Sequence, residues 1–346
     1  MKLGKIEKRI LQEALEQFRK TTNLNIEVRV DDAAANRRPN TIIRLTLDNL
    51  HFDFETEVKN TLTRGTVGAA IEQMRILPGK GIIITRYVTP QLADILKKAD
   101  VPFIDTVGNA YINKQPLFLF IKGNRPVEKH RRERPTRAFQ TTGLQVVFAL
   151  LCNPGLERAP YREIAKLADV ALGTVGWVIN DLKKLGFLID MGRRGRRLTQ
   201  KEDLLRRWAT AYPEMLRPKI FEGRYRAQDI DWWKHTEPPH RKAYWGGEIA
   251  AAEVTGYLKP EIVTVYTQDI RPIGDWLIMN RIRKAPEGNI EILHTFWDFK
   301  CNWGYTNLVH PILIYADLLA TADARNIEAA RMLYDQELTR FVREDR

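Results

Sequence analysis

The sequence predicts a three-part α/β chain: an N-terminal αβββαβ domain, a small central domain of three helices and a hairpin, and a C-terminal α/β domain. Three observations carry this reading. At roughly 100 to 200 residues per domain, 346 residues make two or three domains. A composition of 44% hydrophobic and 28% charged residues is that of a folded globular chain. Finally, residues 123–137 break the pattern with Arg, Lys, Glu and Pro, which marks a basic linker between periodic segments. The expected boundaries are 1–124, a linker over 125–140, 141–207 and 208–346.

Ile6, Ile10, Leu11, Ala14, Leu15 and Phe18 recur at helical spacing. Asn25–Val30, Thr41–Leu47 and Leu50–Lys59 then alternate apolar and polar residues, as half-buried antiparallel strands do. Gly65–Ile76 reads as a helix, Gly81–Thr85 as a short buried strand, Thr89–Ala99 as a helix and Pro102–Asp105 as another strand. Thr89-Pro90 supplies an N-cap followed by proline at the first helical position.

In the centre, helices are expected over Leu144–Cys152, Tyr161–Ala168 and from about Ala171 to Leu185. Val175, Val178, Leu182 and Leu185 share one face of the third, while Thr174, Trp177, Asp181 and Lys184 point away. A helix with one face packed on its predecessors and a free N-terminal half can enter a major groove. The segment Leu188–Leu198 follows as two strand-like arms around a tip bearing Arg193, Arg194, Arg196 and Arg197. This is the pattern of a winged helix-turn-helix. Gly173, Thr174, Trp177 and Lys184, the four tip arginines, and Arg131, Arg132 and Arg134 of the linker are the candidate DNA contacts. Trp177 can stack on a nucleotide or pack against hairpin and linker, and Asn180 lies two turns in, where a surface role suffices.

Charge agrees with that placement. The whole chain carries +12, distributed as +5 over residues 1–124, +9 over 125–207 and −2 over 208–346. A concentrated basic segment suits a phosphate-backbone ligand, because each phosphate contact releases counterions. No apolar stretch approaches the roughly 20 residues of a membrane helix. The charged N-terminus has no signal-peptide pattern, so a cytoplasmic protein with no membrane partner is expected. Cys152 and Cys301 are too far apart in sequence for redox or zinc motifs and read as reduced structural thiols. Seven of the eight tryptophans follow residue 207, most simply as core and packing residues of a nearly neutral domain. His235 and His240 flank Pro238-Pro239 without a third ligand nearby, and no metal site is expected.

The αβββαβ order with Glu57-Val58-Lys59 at the end of its third strand resembles the PD-(D/E)XK nuclease superfamily, a restriction-endonuclease-like fold. Residues i and i+2 of a strand share a face, so the Glu57 carboxylate and Lys59 ammonium point into one pocket. Where that superfamily places Pro-Asp, this chain has Pro39-Asn40, whose uncharged amide holds Mg²⁺ poorly. The domain is therefore expected to be inactive and the protein without a cofactor. Mg²⁺ enters only under the alternative of a metal-dependent DNA endonuclease using Glu57 and Lys59, with Asp53 or Glu55 as replacement ligand. Beyond it, Tyr87-Val88-Thr89-Pro90 and Asp105-Thr106-Val107-Gly108-Asn109-Ala110-Tyr111 resemble motifs of AbiEi-type antitoxin regulators of type IV toxin-antitoxin systems. So do Gly246-Gly247-Glu248, Gly256–Pro260, and His310-Pro311 with Tyr315–Ala320. That resemblance implies a regulator of transcription that binds double-stranded DNA, represses its own operon and acts as an antitoxin. A homodimer on an operator with two half-sites is the matching assembly, and the sequence identifies neither the operator nor a toxin partner. The plain reading of the same residues is a tight turn with positive φ at Gly108 and Asn109, and helix capping with close packing at Gly246-Gly247.

Overall fold

The computed structural model describes residues 5–30, 41–47, 49–77, 79–126, 136–229, 231–238, 243–269, 271–300 and 303–342, and the chain divides into two compact units at residues 133/134. The first unit contains α1 (Lys5–Thr22), β1 (Asn25–Val30), β2 (Thr41–Leu47), β3 (Leu50–Lys59), α2 (Arg64–Ile76), β4 (Gly81–Thr85), α3 (Pro90–Lys98), β5 (Phe103–Asp105), β6 (Ala110–Lys114) and β7 (Leu117–Ile121). Its strands form one sheet in sequence order, β1 to β7. The pairs β1–β2 and β2–β3 are antiparallel, β3–β4 and β4–β5 parallel, and β5–β6 and β6–β7 antiparallel.

Alternation along the strands gives this sheet two apolar faces. Ile10, Leu11, Ala14, Leu15 and Phe18 of α1 pack in one buried cluster with Ile43, Phe54, Val58, Ile82, Ile84 and Ile104. The intervening Ile83 and Phe103 are fully buried as well, on the face where α2 packs against β4 and against α3. A one-residue slip of β4 would exchange its faces, and since both are apolar the neighbouring strands must fix the register. Thr89 caps α3 by accepting a hydrogen bond from Leu92 N at 3.3 Å, with Pro90 in the first turn as the sequence indicates. The hairpin β6–β7 is additional to the expected αβββαβαβ order.

The second unit begins with a 3-10 turn over Arg137–Phe139, followed by α4 (Thr141–Cys152), α5 (Tyr161–Leu167), α6 (Leu172–Lys184), β8 (Leu188–Asp190) and β9 (Arg196–Leu198). Next come α7 (Lys201–Met215), α8 (Arg217–Ile220), β10 (Phe221–Arg226), β11 (Ala243–Gly246), α9 (Gly247–Thr255), β12 (Val263–Thr267) and α10 (Arg271–Met279). The chain closes with β13 (Arg283–Lys284), β14 (Ile290–His294), α11 (Pro311–Ala320) and α12 (Ala324–Leu333), the last continuing through a wider turn to Val342. The sheet order is β11-β12-β14-β10-β13, with β12 and β14 parallel and the other pairs antiparallel. Helix α10 stops at Met279, after which Arg281 takes a positive φ of 53° and the chain turns into β13.

Helix α7 spans the expected boundary at residues 207/208. Trp208, fully buried, donates from Nε1 to Leu144 O at 2.8 Å and stacks on Phe148 at 5.2 Å. One turn later, Tyr212 lies 2.6 Å from the Tyr266 hydroxyl, and both hydroxyls reach Asp317. Arg217 joins them, donating to Asp317 at 3.2 Å and to Glu291 at 2.6 Å, and Arg224 also donates to Glu291. This buried cluster ties α7, α8, α11, β10, β12 and β14 together. Burial pushes the Asp317 carboxyl above its ordinary range, against the opposing pull of Arg217. No helix among the described residues is long and apolar enough to cross a membrane.

Candidate nucleic-acid interface

Helix α6 is fixed from beneath by Val175, Val178, Ile179 and Leu182, all buried. Its partner α5 ends at Leu167 with Ala168 as its C-cap, and Asp169, at φ 51°, turns the chain into α6 within four residues. On the opposite side Gly173 is exposed, Thr174 half-buried and Trp177 57% exposed, with Asn180 and Lys184 exposed beyond them. A Cβ added at Gly173 would meet nothing within 4 Å, so the backbone of the first turn is open to close approach. An indole left this far outside the core contributes little to stability where it stands.

Hairpin β8–β9 is anchored by the Leu188–Leu198 pair, both buried, and its tip is a tight turn over Gly192–Arg194. Gly192 at φ 61° and Gly195 at φ 78° supply the left-handed conformations, and Met191 N donates to Gly195 O at 2.8 Å. Lys183 reaches from α6 to Asp190 at 2.7 Å, and that hydrogen bond holds the Asp190 carboxyl below its ordinary range. The four arginines are not equivalent. Arg193 and Arg194 are exposed at the tip. Arg196 turns back, donating to Ala159 O with its guanidinium 4.6 Å over the Tyr161 ring, so it fastens the hairpin to the helices. Arg197 is half-buried beside it. Arg131, Arg132 and Arg134 lie outside the described residues. Arg137, which follows them, places its guanidinium 4.3 Å over the Trp177 ring. Trp177 is thus covered by the end of the linker and remains at the surface.

On β3, Glu57 and Lys59 do share a face, and they are joined to each other at 2.8 Å. Lys59 also donates to Gln73 of α2 at 2.8 Å. The replacement ligands considered for a metal are committed elsewhere: Asp53 pairs with Arg44, and Glu55 accepts from Gly79 N at 3.1 Å. Asn40 lies outside the described residues. Among those described, no group of three or more His, Cys, Asp or Glu is placed to hold a metal ion. One carboxylate already neutralised by an ammonium does not suit Mg²⁺, which needs several anionic or water oxygens.

The remaining motifs serve the fold. Asp105, fully buried, accepts hydrogen bonds from Val88 N, Val107 N, Asn109 N and Asn109 Nδ2, and burial raises its carboxyl above the ordinary range. Gly108 takes a positive φ of 90°, whereas Asn109 does not and instead bonds Asn124 through its side chain. At Gly246 a Cβ would lie 2.6 Å from the Tyr266 ring, and Glu248 accepts from Glu261 N, Ile262 N and Asn326 Nδ2. Six of the seven C-terminal tryptophans are buried, as core packing requires. Cys152 is a buried thiol outside any disulfide, and Cys301 and His240 lie outside the described residues.

Residues 197–339 match the family described as transcriptional regulator, AbiEi antitoxin, type IV TA system, which bears out the resemblance read from Gly246–Pro260 and His310–Ala320. The motifs at Tyr87–Tyr111 precede the matched span. Neither a curated protein nor a solved structure matches the chain.

Proposed function

We propose that this protein is a sequence-specific DNA-binding regulator of transcription that represses its own operon, with residues 137–198 as a winged helix-turn-helix. The observation that carries this reading is the pairing of an outward α6 face, Gly173, Thr174 and Trp177, with an exposed arginine tip at Arg193 and Arg194. A major groove is wide enough to admit an α-helix presenting the first, and exposed arginines like the second suit phosphates or a minor groove. The basic charge of residues 125–207 favours the same ligand. The family matched over residues 197–339 consists of regulators and antitoxins, so a type IV antitoxin role belongs to the proposal. Such a protein works in the cytoplasm. As a homodimer it would place two recognition helices about 34 Å apart on a palindromic operator.

The first unit is proposed to be a restriction-endonuclease-like domain that has lost cleavage. An antiparallel β1–β2–β3 sheet, a parallel β4 and helices on both faces support the fold. The uncharged Asn40, where that superfamily has an aspartate, supports the loss, since an amide holds Mg²⁺ poorly. The endonuclease alternative rests on the Glu57 and Lys59 side chains sharing a face. A genome-wide footprint of bound DNA tests the main reading: discrete peaks sharing one motif, including one upstream of the protein's own gene, are expected. Even coverage without a motif would overturn it.

A further inference from the structure

We propose that Arg137 is a base-reading residue, held over Trp177 so that its guanidinium edge meets a guanine in the major groove. This rests on the winged-helix reading above and adds to it a residue outside the third helix and hairpin. Arg137 belongs by sequence to the basic linker, yet its guanidinium lies 4.3 Å over the indole of Trp177, on the outward face of α6. Both side chains are exposed, and Arg137 makes no ion pair among the described residues. An arginine placed over an aromatic face still has N–H groups to offer outward, and the matching acceptor pair on a base edge is guanine O6 and N7.

The backbone beneath Arg137 is fixed. Ala138 and Phe139 are buried, and Ala138 N donates to Asp181 of α6 at 3.3 Å. Phe139 meets Phe187 edge-on at 6.3 Å and lies under the Arg207 guanidinium at 4.4 Å. Gly143 of α4 approaches so closely that a Cβ there would lie 2.0 Å from Arg137 O. The 3-10 turn is therefore part of the helical module, and much of the entropy of placing this arginine is lost on folding and not on binding. A phosphate contact needs no such seat. Arg193 and Arg194, at a hairpin tip, are the arginines placed for that.

The test selects duplexes from a random pool with the full-length wild-type chain, Arg137→Ala, Trp177→Ala, the double variant and, as a control, Arg193→Ala/Arg194→Ala. Thermal melts verify that each variant is folded; Arg137 is exposed, so its truncation should leave the melt unchanged. The wild-type motif should contain a guanine that becomes indifferent with Arg137→Ala. Affinity for the wild-type motif should fall roughly 5- to 150-fold while affinity for random DNA and its salt dependence stay unchanged. The double variant should lose little beyond Arg137→Ala alone, because Trp177 acts by positioning. The control should weaken all DNA and flatten the salt dependence. If Arg137→Ala keeps every motif position, whether it weakens all DNA equally or changes nothing, base reading by Arg137 is overturned and the winged-helix reading stands. If the wild-type chain selects no motif, both fall.

Discussion

Gly143→Ala adds one methyl group where the 3-10 turn crosses α4. The new Cβ would lie 2.0 Å from Arg137 O and 2.7 Å from Ala138 C, both backbone atoms that no side-chain rotation can move aside. Ordinary contact requires the turn to retreat by more than about 1 Å, an overpacking strain of the kind that costs about 1–3 kcal/mol. Alanine returns at most about 1 kcal/mol through its better helix propensity, so a net loss of about 1–2 kcal/mol is expected. That corresponds to a fall in Tm of roughly 2–8 °C for a unit of this size. The retreat also stretches the Ala138–Asp181 hydrogen bond and lifts Arg137 from Trp177, so preference for a specific duplex should weaken more than affinity for random DNA. Urea denaturation followed by circular dichroism measures the first effect, and competitive titration against the two DNAs the second. A variant more stable than wild type, with unchanged preference, would refute the argument that this contact seats the turn.

Two buried groups and the Glu57–Lys59 pair supply three further outcomes. His310 accepts a hydrogen bond from Ile312 N and packs among Phe148, Trp303 and Phe341. Burial, with Arg340 nearby, lowers its pKa to about 3. The unfolded chain takes up that proton near pH 6.5 and the folded chain does not, so stability is lost as pH falls, by about 2 kcal/mol between pH 6.5 and 5. His310→Gln should flatten that slope in urea titrations, and an unaltered slope would contradict it. Asp317→Ala leaves the Tyr212 and Tyr266 hydroxyls and the buried Arg217 without their shared acceptor and should cost about 3–5 kcal/mol in the same assay; less than about 1 kcal/mol would show the cluster to be dispensable. With Mg²⁺ or Mn²⁺ the protein should bind DNA without cutting it, and Glu57→Ala or Lys59→Ala should leave affinity nearly intact; cleavage abolished by Lys59→Ala would restore the nuclease reading.

What the sequence makes legible here is local. Strands β1 to β4 follow from strict alternation or a short apolar run, and α6 from its buried face. The hairpin β6–β7 is missing from the expected order although Leu117–Ile121 is a short apolar run of the same kind as β4. Strand β10 is laced with glycine and charge and β11 is only four residues long, so both resemble loops. At the candidate interface, Thr174, Trp177, Arg193 and Arg194 stand on exposed or half-exposed positions as their spacing implies. Arg196 does not behave like its neighbours, since its partners Ala159 and Tyr161 lie more than 30 residues away in sequence. Arg137 was indistinguishable from other linker arginines by composition; the one local cue was the apolar Ala138-Phe139 that follows it. The Asp317 cluster joins residues 212–224 to Tyr266, Glu291 and Asp317, and no spacing rule announces it.

The most direct test of the account is an equilibrium titration of the full-length protein against a duplex recovered by selection and a random duplex of equal length, at two salt concentrations. Binding to the selected duplex should be at least about 10³-fold tighter. Both affinities should fall as salt rises, and reversing the charge of Arg193 and Arg194 should flatten that dependence on both DNAs. Equal affinity for the two duplexes, or a salt dependence indifferent to those arginines, would contradict a sequence-reading helix flanked by a phosphate-binding hairpin.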